Sequence, residues 1–480
     1  MDNRFYFGFN TSEERKKRRK AELYSMSEQV STFFWDEAPQ HGLEMREGQQ
    51  DMSFEIVDAL INDQHFAIEA GVGIGKSFGY LVPVLLYSKR MNKPVIIATS
   101  TIALQEQLWR DVHAVMPLLG LNRDVILAKG QTHYLCNKRA DEYMCDPKAD
   151  PPDALKEGIQ QGYEERKDFP EVLPQGVWDK VNVQRFSMKN CGSCEKKCKY
   201  YKVRAALKFT DGVVLCNQDF LTQHLMKLRR GQEGLINAAA DLLVVDEAHN
   251  LDDKVRSATT ERFGQGMLFG MIKSAFYELR SFDQSSVSGE KREAESAIIA
   301  FYNCLKAQVQ KQINEAEQDM RYADRFFFDN NGSAIELLTE MNAAIHNLSS
   351  SIQIYSSMDF RNNRSFAASD DLDAVSESLS ELLDQIDDML IWIEQHGSNT
   401  ELVYCPKNTK EIVSRLYFNG DERTILTSAT LTNATSGSLE EQYSYFISNT
   451  GFPAGDRGCL SEPKPSPYPY DEHAMIYYCD

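Results

Sequence analysis

Six short apolar runs stand out along the chain: His65–Ala70, Pro94–Thr99, Asp124–Ala128, Gly212–Cys216, Asp241–Asp246 and Arg423–Thr427. They are nearly continuous rather than alternating, the pattern of strands covered on both faces. Helix-like stretches separate them, so the chain predicts an α/β fold around a mainly parallel sheet. From 252 to 400 the pattern changes to polar, helical and free of strand signals. There Leu372, Val375, Leu379, Leu382, Ile386, Met389 and Ile393 alternate at spacings of three and four. One apolar seam of that kind faces a partner helix, and predicts an antiparallel helical insertion. Ser281–Gly289 reads as an exposed turn within it. Residues 1–40 combine an aromatic stretch (Phe5, Tyr6, Phe7, Phe9) with a basic run from Arg15 to Lys20 and predict a solvated lead-in helix.

Composition changes this picture little. A chain of 480 residues can hold two or three domains. Ten cysteines are mostly scattered, which argues against a secreted disulfide framework and for a cytoplasmic protein. The basic run is not followed by the apolar core of a signal peptide, and no stretch reads as a membrane span. The net charge of −19 disfavours nucleic-acid binding globally. Its distribution is uneven, however. Eleven Lys/Arg against three Asp/Glu lie between Arg185 and Arg230, whereas 369–395 carries nine acids and no Lys or Arg.

Candidate chemistry begins at residues 70–77, Ala-Gly-Val-Gly-Ile-Gly-Lys-Ser. The stretch follows a predicted strand and precedes a predicted helix, the setting of a phosphate-binding loop. Glycines let backbone amides face the phosphates, and the helix N-terminus adds partial positive charge. The loop residues Ala70, Gly71, Val72, Gly73, Ile74 and Gly75 would cradle ATP. Lys76 would reach its outer phosphates, and Ser77 would hold Mg²⁺. Asp246-Glu247-Ala248-His249 closes another predicted strand. Asp246 would hold Mg²⁺ through water, and Glu247 would orient and deprotonate the attacking water.

Cys191, Cys194 and Cys198 form a compact thiolate group, with Cys136 or Cys145 as a distant fourth. Ligand type alone permits an iron–sulfur cluster or zinc. Residues 129–205 carry few strand or long-helix signals, so a metal staple is expected to fold them. Cys216, Cys304, Cys405, Cys459 and Cys479 read as inert thiols. Around the group lie Lys196, Lys197, Lys199, Lys202 and Arg204, interleaved with Tyr200 and Tyr201. Cations for phosphates and aromatics for bases suit a single-stranded DNA track, which Lys227, Arg229 and Arg230 extend.

These motifs resemble superfamily 2 helicases, and more closely the DinG/XPD family of iron–sulfur DNA helicases, from about Arg46 onward. Gln49, in Arg46–Met52, is similar to the family's adenine-contacting glutamine. Thr99-Ser100-Thr101, followed by Leu104–Leu108, resembles the strand-tracking motif Ia. Asp246–His249 resembles the DEAH box, adding His249 to the catalytic set. Ser428-Ala429-Thr430, within Thr427–Leu431, resembles motif III, which couples hydrolysis to DNA movement.

The resemblance implies a RecA-like P-loop sheet with an iron–sulfur insertion and an α-helical arch. Lys76 to Asp246 spans 170 positions and His249 to Ser428 spans 179, room for both insertions. It favours a 4Fe–4S cluster, with Cys136 as fourth ligand because His133–Cys136 follows the Lys129-Gly130 turn.

The implied organisation is a lead-in (1–40), motor domain 1 (41–128, 206–252 and 401–465), an iron–sulfur domain (129–205), an arch (253–400) and the entry to a second motor domain (466–480). Ser466–Tyr470 resembles that entry. The second motor domain, with its arginine fingers, would be supplied in cis beyond Asp480 or in trans by another chain. The implied activity is 5′–3′ unwinding of forked DNA in repair. The alternative is an ATP- and single-strand-binding protein that does not unwind. Departures from the family are Val72 and Ile74, where threonines are common, and Gln218, where His is frequent after Asn217.

Overall fold

Parallel strands need connections that cross the sheet, and helices supply them. The computed structural model describes residues 12–44, 46–169, 173–184, 198–279, 284–316, 323–358 and 367–468. Among these, eleven strands occur: β1 His65–Glu69, β2 Val95–Thr99, β3 Val125–Leu127, β4 Val213–Asn217, β5 Leu242–Asp246, β6 Glu261–Gly264, β7 Arg325–Phe327, β8 Met389–His396, β9 Asn399–Pro406, β10 Arg423–Ser428 and β11 Gly458–Leu460. The chain divides into two units, 1–258 with 409–480, and 259–408.

The first unit holds an all-parallel sheet in the order β11-β1-β10-β5-β2-β4-β3. All six apolar runs of the sequence are strands of this sheet; β11, only three residues long, gave no signal. Apolar side chains cover both faces, with Phe66, Ile68, Ile97 and Val244 on one and Ile96, Val214, Val245 and Leu426 on the other. Because every strand runs the same way, Glu69, Thr99, Asn217, Asp246 and Ser428 all end at one edge. Ligands of open parallel sheets bind there.

The N-terminal region corrects the expectation of a solvated lead-in. Helix Ser12–Thr32 buries Leu23, Met26 and Val30, and the following Phe33 and Phe34 are buried in the same core. Their spacing of three and four makes one apolar stripe, which the adjoining basic run masks in the sequence. The aromatic stretch at Phe5–Phe9 lies outside the described residues.

The region 129–205 also differs from expectation. Helices Asn137–Cys145, Asp153–Gln160 and Gln175–Val181 enclose an apolar core of Leu135, Leu155, Phe169, Leu173, Trp178 and Val181. Trp178 Nε1 donates to Thr132 O at 2.7 Å. Part of this lobe therefore has a hydrophobic reason to fold. The helices have seven to nine residues, too short to show clear periodicity.

The second unit packs long helices, Ser288–Glu315, Gly332–Met358 and Ala367–Asp384, on a four-stranded antiparallel sheet, β6-β9-β8-β7. The reading of 252–400 as free of strands is thus corrected. The helical seam holds from Leu372 to Leu382, all buried, but the helix ends at Asp384. Met389 and Ile393 belong to β8, and the regular spacing across the junction is coincidental. The expected turn at Ser281–Gly289 is shorter where described: Val287 is buried and a helix begins at Ser288. No described helix is long and apolar enough to cross a membrane.

Candidate functional site

Residues 70–75 turn tightly between β1 and helix Lys76–Met91, and glycine makes that turn possible. Gly73 (φ +90°) and Gly75 (φ +88°) occupy the left-handed region, where a Cβ is strained. Gly75 precedes the helix, so Lys76 and Ser77 sit at its amide end. Lys76 Nζ donates to Glu247 Oε1 at 2.8 Å.

Asp246 ends β5. Burial pushes its carboxyl up to about 6, against the opposing pull of Lys76. The Tyr80 hydroxyl donates to Asp246 Oδ2 at 3.5 Å and also bonds Ser77, so one buried phenol gathers the serine and the carboxylate. Two hard oxygen donors, one of them a carboxylate starved of solvent, suit Mg²⁺. Ser77 and Asp246 would hold the ion, which would neutralise phosphate charge.

Glu247 adopts φ +57°, uncommon for a residue with a side chain. Gln218 accounts for its persistence. Fully buried, it donates Nε2 to Asp246 O at 2.7 Å and Glu247 O at 3.1 Å. Since β10 lies between β1 and β5, Ser428 neighbours both the loop strand and the acidic strand. Its Oγ is 2.7 Å from His249 Nδ1 and donates to Glu247 Oε2 at 3.4 Å, while Thr430 N donates to Ser428 Oγ at 3.4 Å. Lys76, Glu247, Ser428 and His249 thus form one connected chain. No polar contact of Ala429 is needed for it.

Two features escaped the sequence reading. Glu69 Oε2 accepts from Leu431 N and Thr432 N, both at 2.6 Å, and from Thr432 Oγ1 at 2.9 Å. The loop strand and the segment after β10 are therefore tied by one carboxylate; its signal was an acid directly before the glycine loop. Beside the loop lies a cavity of about 270 Å³ lined by Phe33, Phe34, Arg46, Gln49, Ile74 and Phe78, among others. Gln49 Nε2 donates to Gly75 O at 2.9 Å. Largely apolar walls, with the Gln49 amide and the Arg46 guanidinium among the lining groups, suit a planar base.

The family model DEAD_2 matches residues 131–266. The chain is 24% identical to the probable ATP-dependent helicase YpvA of Bacillus subtilis, over 93% of this chain and 69% of that protein. It is 26% identical to the 3′-5′ exonuclease DinG of B. subtilis, over 91% of this chain and 50% of that protein. The ATP-dependent DNA helicase YoaA of Escherichia coli is 30% identical over 47% of this chain and 36% of its own length. The chain is thus similar to ATP-dependent helicases of the DinG/XPD family. It spans between about a third and just over two thirds of the length of these relatives. A solved structure of Xpd4 from S. tokodaii aligns with 87% of the chain and 61% of its own, at 14% identity and a TM-score of 0.39.

Cys191, Cys194, Lys196 and Lys197 lie outside the described residues. Cys136 and Cys198 are half-buried and pack against one small cluster, Tyr134, Val183 and Tyr200. Cys145 is exposed at the far end of the nine-residue helix that begins after Cys136, on the order of 13 Å away along the helix axis. Among the described residues, no group of three metal-ligating side chains occurs. Two soft thiols brought to one cluster fit an iron–sulfur group in donor chemistry.

The basic helix Lys199–Phe209 only partly matches the DNA track. Tyr200 is buried 5.0 Å from the Tyr134 ring, and Arg204 is buried with its guanidinium donating to Leu235 O at 2.5 Å. Lys199 pairs with Glu165 at 2.7 Å. Positions 200, 204 and 207 share one helical face, which packs inward. Lys202 is exposed and Tyr201 is half-exposed. Arg229 is tied to Glu422 and donates to Leu416 O.

Of motif Ia, Thr99 is buried, whereas Ser100 and Thr101 reach the surface at the start of helix Ile102–Leu118. Thr101 Oγ1 accepts from Leu104 N at 3.2 Å. An ion network centred on buried Lys129 joins this helix to the cysteine-rich lobe. Lys129 Nζ contacts Glu106 at 2.9 Å and Glu165 at 2.8 Å, and Lys167 also contacts Glu106 at 2.8 Å. These lysines outweigh desolvation and hold Glu106 down to about 2; Glu165 is lowered too.

Proposed function

We propose that this chain is the first motor half of an ATP-dependent 5′–3′ DNA helicase of DinG type, acting on single-stranded and forked DNA in repair. The observation that carries the reading is the connected set Lys76, Glu247, Ser428 and His249 at the edge where the phosphate loop opens. ATP would bind with its base against Phe33, Phe34 and Gln49 and its phosphates over residues 70–77. Drawn to the phosphates' charge, Lys76 would release Glu247, freeing that carboxylate to accept a proton from water. Ser428 touches both Glu247 and His249, so a change at the outer phosphate would reach the segment of Ala429 and Thr430. The hydroxyls of half-exposed Ser100 and exposed Thr101, at a helix N-terminus, suit strand phosphates. Lys202 and Tyr201 would add cation and ring on the lobe's surface.

In this reading Cys136, Cys191, Cys194 and Cys198 hold a 4Fe–4S cluster that fastens the lobe covalently, and the second unit is the arch. A second motor domain, in cis or in trans, would close over ATP. The test is ATP hydrolysis with and without single-stranded DNA, with Lys76→Ala as the blank, followed by unwinding of 5′- and 3′-tailed duplexes. With a second motor domain supplied, DNA-stimulated, Lys76-dependent hydrolysis and selective unwinding from the 5′ tail are expected. Hydrolysis insensitive to DNA, or to Lys76→Ala, would overturn the reading.

A further inference from the structure

The sequence Lys464-Pro465-Ser466-Pro467-Tyr468 alternates prolines with other residues. Proline fixes its own φ and drives the residue before it to extended backbone, so this stretch is preset as an extended strap. In an extended chain, alternate residues face the same side. Here that side is the phosphate loop. Gly71 N donates to Lys464 O at 2.9 Å. Ser466 Oγ donates to Val72 O at 2.7 Å. The ring of Tyr468 lies against Gly73, where a Cβ would run into it. Three successive loop residues are thus held by three alternate strap residues.

The loop's glycines consequently serve two partners. A Cβ on Gly71 would stand 2.6 Å from Ser466 N, a clash independent of any phosphate. The strap is itself anchored. Lys464 N donates to Glu69 O at 2.9 Å, and Lys464 Nζ pairs with Glu55 at 2.7 Å. Tyr468 also bonds the guanidinium of Arg46, a residue lining the base cavity. It therefore touches both the loop and the rim of the base pocket, although its own side chain is half-exposed.

We propose that residues 464–468 form a clasp that positions the phosphate loop for nucleotide, with Tyr468 the positioning residue. The inference deepens the nucleotide reading and rests on it. A loop whose backbone amides must converge on phosphates gains from being held from outside in that shape. The same contacts run in reverse: nucleotide that settles residues 71–73 also settles the strap.

The test is Mg-ATP titration calorimetry on the full chain, for the native protein, Tyr468→Ala, Tyr468→Phe and Lys76→Ala, with unfolding midpoints measured with and without nucleotide. Tyr468→Ala is expected to weaken ATP binding about tenfold, or about 1.4 kcal/mol. Tyr468→Phe keeps the ring on Gly73 and should stay within about threefold. The nucleotide-free midpoint of Tyr468→Ala should match the native protein, since the ring is half-exposed. Native affinity in Tyr468→Ala, with binding lost in Lys76→Ala, overturns the clasp and leaves the nucleotide reading intact. A midpoint lowered equally with and without nucleotide makes Tyr468 a packing residue and also overturns it. No effect of Lys76→Ala removes both.

Discussion

The nucleotide edge and the cysteine-rich lobe belong to one unit but are held by different forces. At the edge, functional side chains are fixed by polar contacts to backbone: Gln218 on Asp246 and Glu247, Glu69 on Leu431 and Thr432, Gln49 on Gly75. Each bond supports a particular geometry, so each substitution should alter chemistry more than folding. In the lobe, a small apolar core around Trp178 and an ion network around Lys129 do the holding. Substitutions there should alter folding first. The contrast separates a site that is positioned from a module that is attached.

The sharpest way to break that contrast is at Glu247. Glu247→Gln keeps shape but removes the base, and hydrolysis should fall by about 10²–10⁴-fold, with the unfolding midpoint nearly unchanged. Stopped single-turnover assays would check it. In the lobe, Trp178→Ala should destabilise by about 3–5 kcal/mol, read as lost hydrogen-exchange protection over residues 135–181 while the parallel sheet stays protected. Cys194→Ser should lose iron, yet leave the Trp178 core protected; exchange lost throughout the lobe would show that metal, not apolar burial, folds it.

Smaller effects sharpen the picture. Glu69→Gln weakens charge-assisted bonds of the kind worth about 1.5–3 kcal/mol, and should reduce DNA stimulation of hydrolysis more than ATP affinity. The ion network gives a pH signature. Glu106 and Glu165 are depressed below the ordinary 4.5, so their contribution is complete above that value. It is lost as pH falls through it towards about 2 for Glu106. Protease resistance at the 129–205 boundary should decline over this acidic window, and Lys129→Met should flatten the dependence.

What was legible in the sequence follows the same division. The parallel strands were legible because burial on both faces writes continuous apolar runs, and the glycine loop and acidic strand end because their chemistry is local in sequence. The N-terminal contribution to the base cavity was hidden: Phe33 and Phe34 lie far from the loop in sequence, beside a basic run that suggested solvent. The strands of the second unit were hidden because the 3,4 seam ran on into β8 without a break. Tyr200 and Arg204 read as a DNA surface because charge and aromaticity do not reveal which helical face packs. Gln218 read as a departure from a family pattern, whereas its amide supports Glu247 through two carbonyls.

The most direct test of the central claim, that one sheet edge binds and hydrolyses ATP, is the dissociation constant of Mg-ATP for the native chain, Lys76→Ala and Glu247→Gln. Lys76 pairs with Glu247 at 2.8 Å, so removing the carboxylate's charge frees the lysine for phosphate. The account predicts binding weakened at least about tenfold by Lys76→Ala and tightened by up to about threefold by Glu247→Gln, the scale of a partly exposed ion pair. Equal weakening by both, or indifference to Lys76→Ala, would contradict it.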